Sequence, residues 1–82
     1  MPMPETVVPL SQLPLNGTAR VVEIVGDDAI ACRLMEMGIT EGEPVQSLGA
    51  ALFGDPLEYL VRGYRLSLRR SEADRVRVCP ET

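Results

Sequence analysis

The chain has 82 residues, 45% of them hydrophobic and 24% charged, with a net charge of −4 and no histidine. That length fits one small domain burying about 60% of its unfolded surface, so a deep enclosed active site is not expected. Without histidine or lysine the chain lacks the commonest general base, the commonest metal ligand and any Schiff-base amine, and its acidic balance speaks against nucleic-acid binding.

In chain order, residues 1–9 read as a flexible arm: Pro2, Pro4, Pro9 and Glu5 interrupt every apolar run, and no basic segment marks a signal peptide. No apolar stretch approaches the roughly 18 residues of a membrane span. Cys32 and Cys79 are too few for a disulfide framework, so a reduced, cytoplasmic setting without direct membrane insertion is expected. Leu10, Leu13 and Leu15 surround a Ser-Gln pair in one short helical turn, closed by the turn signal Asn16-Gly17. Residues 18–25, "TARVVEIV", are β-branched and predict a strand. Asp27 and Asp28 are N-cap candidates for a helix over 29–37, and Gly38 stands where a left-handed C-terminal residue belongs.

After a turn at Glu41-Gly42, residues 44–52 predict a strand with Gly49 as a bulge, followed by the turn Gly54-Asp55-Pro56. "LEYLVRGYRLSLR" predicts a hairpin. A type II′ loop at Gly63-Tyr64 pairs Val61 with Leu66 and Tyr59 with Leu68, and a loop one residue earlier preserves the same faces. Ser71 is a candidate cap for a single helical turn, and residues 75–79 predict a last strand with Val76 and Val78 inward, stopped by Pro80. The folded unit thus spans 10–79, with 80–82 as a tail. About five short strands, one real helix and two single turns predict a mainly β, strongly bent small barrel.

"ACRLMEMGIT" clusters one thiol with two thioethers. At about 100° per residue, Ile30, Leu34, Ala31, Met35 and Met37 form an apolar arc about 160° wide. Cys32 and Met37 then lie about 140° apart and cannot share a metal from one helix. Cys32 and Met35 supply at most half a soft-metal site, which Cys79 and carboxylates would have to complete. Met35 falls at the edge of the arc, where a flexible thioether suits a second surface. There is no Gly-rich phosphate loop ending in lysine, and no pair of acids stands out. The remaining catalytic-type role is an arginine offered to a partner's phosphoryl-transfer site, with Arg62 and Arg65 at the hairpin tip as candidates. Charge is uneven: residues 1–60 hold nine acids against two arginines, residues 61–82 six arginines against three acids. Such asymmetry can orient the domain on a partner.

"CRLMEMGITEG" (32–42) and "GDPLEYLVRGYRLSLRRSEADRVRV" (54–78), with "LSQL…G" at 10–17, resemble the ferrous iron transport protein A (FeoA) family over roughly residues 8–78. The resemblance implies an SH3-like β-barrel with an inserted helix. It also implies a small cytoplasmic accessory protein, not an enzyme, working at the inner membrane with the GTPase-bearing transporter FeoB. It makes the helix a partner surface through Leu34, Met35 and Met37, with Gly38 shaping the turn. Cys32 stands where the family has a basic or polar residue. The same barrel resembles the C-terminal domain of iron-dependent repressors, but this chain is acidic and has no helix-turn-helix segment. The expected function is docking on the cytoplasmic GTPase region of FeoB to modulate its GTPase activity or assembly. The alternative is an Fe(II) or Zn(II) carrier using Cys32, Cys79 and carboxylates. Unprotected strand edges leave a homo-oligomer open.

Overall fold

The computed structural model describes residues 6–81, so most of the expected arm lies outside the described residues. Strands β1 (Val8–Pro9), β2 (Thr18–Ile24), β3 (Pro44–Ala50), β4 (Leu57–Val61), β5 (Tyr64–Leu68) and β6 (Val76–Glu81) form one antiparallel sheet in the order β1-β6-β2-β3-β4-β5. Helix α1 (Ala29–Glu36) is inserted between β2 and β3, and the single-turn α2 (Arg70–Ala73) between β5 and β6. A 3₁₀ turn at Leu10–Gln12 follows β1.

Alternation dictates the core. Leu57, Tyr59 and Val61 of β4, Val76 and Val78 of β6, and Ala19 and Val21 of β2 all point inward. Leu34 and Ile39 close the core from the helix side, and Leu10 and Leu13 from the first turn. With few aromatics available, Tyr59 is the largest buried side chain, and its hydroxyl donates to the Leu10 carbonyl at 3.2 Å. Burial pushes its pKa up to about 12. Two bulges bend the sheet, at Val21/Glu23 opposite β6 and at Ser47/Gly49 opposite β4, the latter with Gly49 at φ 108°.

The mainly β barrel with one inserted helix is what the chain adopts, and several local expectations shift. There are six strands: Val8 and Pro9, expected in the arm, pair with Val78 and Arg77, and β6 runs on through Pro80 to Glu81. β3 ends at Ala50, and Leu52–Gly54 form a 3₁₀ turn. The hairpin loop is Arg62-Gly63, with Val61 opposite Tyr64, Tyr59 opposite Leu66 and Leu57 opposite Leu68. Both loop residues have positive φ (54° and 86°), a type I′ turn whose twist matches the strands. Ser71 lies inside α2 and does not cap it. The first turn's N–H groups are met instead by Glu72, which accepts from Arg69 N at 2.9 Å, and by Asp55, which accepts from Arg70 N at 3.0 Å.

Candidate functional site

Helix α1 is held at both ends. Asp28 is its N-cap, accepting from Ala31 N at 3.2 Å, and the same carboxylate takes a two-pronged contact from Arg75 at 2.7 and 3.0 Å. That guanidinium, with the Ala31 N–H, holds the Asp28 carboxyl below its ordinary value of 3.8. Arg75 also donates to the Val25 carbonyl, so one side chain ties the start of the helix to the end of β2. At the other end Gly38 N bonds to Met35 O (3.0 Å) and Ile39 N to Leu34 O (3.1 Å), with Gly38 at φ 101°. This is a Schellman cap, and Leu34 and Ile39 supply its apolar contact inside the core.

The hairpin tip packs on that cap. Tyr64 donates its hydroxyl to the Met37 carbonyl, and a Cβ on Gly38 would lie 2.9 Å from the Arg62 side chain. Arg62 turns toward Glu43 at 3.8 Å. The fold therefore brings Met37 and Gly38 against Arg62 and Tyr64 of the hairpin tip, while Met35 faces the edge of β2. Arg65 points elsewhere, toward Glu58 at 3.5 Å, and Gly54, Asp55 and Pro56 belong to the β3–β4 connection with α2.

Leu34, expected as a contact residue, is fully buried and supports the helix from beneath. Ile30, placed on the inward arc, is 39% exposed, while its neighbour Ala31 is fully buried, so the inward face of the first turn is centred on Ala31. Met35 is 48% exposed, whereas Met37 is packed partly against the core, so Met35 alone of the two is an outward edge. Beside Met35 runs a groove of about 310 Å³, lined by Val21, Val22, Glu23, Ile24, Met35, Ile39, Thr40 and Glu41.

Two residues that sequence reasoning did not single out anchor this region. Glu72 is largely buried and pairs with Arg33 of α1 while capping α2, and Arg75 braces Asp28. A glutamate three residues after Arg69 was the available signal for the first, whereas nothing local marks the second. No disulfide joins Cys32 and Cys79, and among the described residues no three of Cys, Asp or Glu gather into a metal-binding group. Among the described residues Cys32, Cys79 and the carboxylates are not brought together as the carrier alternative calls for. Among the described residues no helix is long and apolar enough to cross a membrane.

These elements define a class, a small SH3-like barrel with a helix inserted between its second and third strands. The FeoA domain model matches residues 8–80, and the chain belongs to the FeoA domain family. It is 32% identical over 69 residues to an Fe(2+) transport protein A/Fe(2+) transporter FeoB fusion protein of Porphyromonas gingivalis, covering 84% of this chain but only 8% of that relative. Its fold is similar to the NMR structure of a FeoA-like protein from Clostridium acetobutylicum (TM-score 0.87, 32% identity, 98% of this chain and 92% of that one). It is also similar to the crystal structure of Stenotrophomonas maltophilia FeoA complexed with zinc, described as an SH3 domain protein (TM-score 0.74, 42% identity, 84% and 86% covered).

Proposed function

We propose that this protein is a non-catalytic accessory subunit of a ferrous iron uptake system. It docks on the cytoplasmic, GTPase-bearing region of a FeoB transporter, at the inner membrane, and modulates GTP hydrolysis or assembly. The observation that carries the reading is the fusion: a segment similar to most of this chain shares one polypeptide with a FeoB transporter in Porphyromonas gingivalis. Fusion keeps two modules at high effective concentration, and a separate chain achieves the same contact only through a docking surface. The Stenotrophomonas relative is put forward as a ferrous iron transport activating factor, which points the same way.

The exposed Met35 on α1 and Arg62 at the hairpin tip suit that surface. Met35 offers an adaptable apolar contact, Arg62 a charged one, and Arg65 a second cation farther along β5. Leu34 sets the helix position from inside. In the test, the purified cytoplasmic region of the cognate transporter is immobilised, capture of this protein is measured, and GTP turnover is followed with and without it. Capture together with altered turnover or altered complex size is expected. No capture by that region, and no co-purification with the intact transporter, ends the reading. If the effect runs through an arginine in the GTPase site, Arg62→Gln or Arg65→Gln removes the stimulation even at concentrations that saturate capture.

A further inference from the structure

Inserting α1 between β2 and β3 leaves part of β2 open. β2 pairs with β3 only through Thr18, Ala19 and Arg20, and the seam closes with Val21 N–H to the Glu43 carbonyl (3.0 Å) and Gly42 N–H to the Val21 carbonyl (2.7 Å). Beyond that point Glu23 and Ile24 remain paired to Arg77 and Val76 of β6 on one side. On the other side, among the described residues, no strand neighbours Val22–Ile24, and the groove beside Met35 runs there instead. Its walls are apolar, from Val22, Ile24, Met35 and Ile39, and it also carries two carboxylates, Glu23 and Glu41. Glu23 is 62% exposed and only loosely paired with Arg77 at 3.9 Å, and Glu41 is exposed as well.

An unpaired strand edge is a template for another strand, and an adjoining pocket for an alternate side chain supplies selectivity. The carboxylates at the groove choose the sign of the incoming charge. We propose that the open edge of β2 takes up an extended segment of the transporter's cytoplasmic region as an added strand, with an aliphatic side chain against Met35 and Ile39 and lysine or arginine facing Glu23 and Glu41. This rests on the function proposed above and specifies the chemistry of its contact. Main-chain groups alternate sides along β2: Val25 N–H bonds to the Arg75 carbonyl on the β6 side, so Glu23 faces β6 as well and Ile24 turns its N–H and C=O to the open edge. Ile24 therefore provides the main-chain hydrogen bonds, Met35 adapts to the side chain that enters, and the acidic groove rejects an acidic segment.

The probe is the purified cytoplasmic region of the cognate transporter, with capture measured for the wild type, Met35→Glu, the double variant Glu23→Lys/Glu41→Lys, and Leu52→Ser in the β3–β4 connection as a control. All four positions are exposed, and thermal unfolding verifies that each variant folds. At least a tenfold loss of affinity is expected for Met35→Glu and for the charge reversal, with Leu52→Ser unchanged. Hydrogen exchange on the wild-type complex is expected to show a slowed amide at Ile24. Capture that neither groove variant weakens, or a complex without protection at Ile24, overturns the strand-addition site while leaving the docking function standing. No capture of the wild type overturns both. A dimer of this chain that Met35→Glu abolishes in the absence of the transporter region assigns the edge to a second copy and likewise overturns the proposal.

Discussion

The C-terminus of α1 and the β3–β4 connection use similar letters and behave oppositely. Each places large apolar residues beside a glycine of positive φ: Met35 and Met37 before Gly38 (φ 101°), Leu52 and Phe53 before Gly54 (φ 83°). Around Gly38 the space is filled, and an added Cβ would meet the Arg62 side chain at 2.9 Å and the Tyr64 hydroxyl at 3.2 Å. Around Gly54 the nearest atom would be 3.9 Å away, and Leu52 and Phe53 are almost wholly exposed. The first turn is locked by a hairpin some 25 residues on in the chain, whereas the second is braced only by Arg70 and local bonds. An apolar residue beside a glycine thus marks a turn, and distant neighbours decide whether that turn becomes rigid.

The largest expected effect breaks the locked turn from inside. Leu34→Ala leaves a core cavity and should cost about 2–5 kcal/mol in denaturant unfolding. Met35→Ala, one residue away but half outside, should stay within about 0.5 kcal/mol. A closer comparison sets the two glycines side by side. Gly38→Ala meets both a left-handed backbone and occupied space, and should cost about 2–3 kcal/mol. Gly54→Ala meets only the backbone term, about 1 kcal/mol. Equal losses at the two positions would show that the hairpin does not constrain the α1 turn.

At the other end of α1 the comparison becomes one of pH. The carboxyl of Asp28 is held below 3.8 by Arg75 and the Ala31 N–H, so near that pH the folded chain binds fewer protons than the unfolded one. Its stabilisation is therefore complete above about pH 4 and is lost as pH falls through the lowered folded value. Asp28→Asn should lower the unfolding midpoint at neutral pH, and the gap from the wild type should close on acidification below that range. The smallest effect is expected at the exposed turn: Phe53→Ser should change stability by no more than about 0.5 kcal/mol, since no packing is lost.

Much of this was legible in the letters. The alternation of "LEYLVRGYRLSL" named the inward residues of β4 even with the loop placed one residue late, because a shift of the loop by one preserves the faces. Asp28, Gly38 and Gly49 were readable as cap, stop and bulge, since each depends on chain conformation within a few residues. Other features were not readable. β1 exists because β6 offers it an edge, not because Val8-Pro9 has any strand periodicity of its own. The cap of α2 falls to Glu72 and Asp55, the second of which arrives from 15 residues away. The inward face of α1 is narrower than the apolar arc, because a helical wheel does not record which side the barrel lies on: Ala31 and Leu34 are buried, Ile30 and Met35 are not.

By itself the sequence determined the mainly β barrel, the helix with its cap and stop, and the family, because these rest on local backbone preference and on periodic burial. Only the tertiary structure decided which apolar residues of α1 face out, that the hairpin tip locks Gly38, and that β2 is left with an open edge beside Met35. The reason is physical: the first set follows from interactions among near neighbours, and the second from which distant surfaces fill, or fail to fill, the space around them.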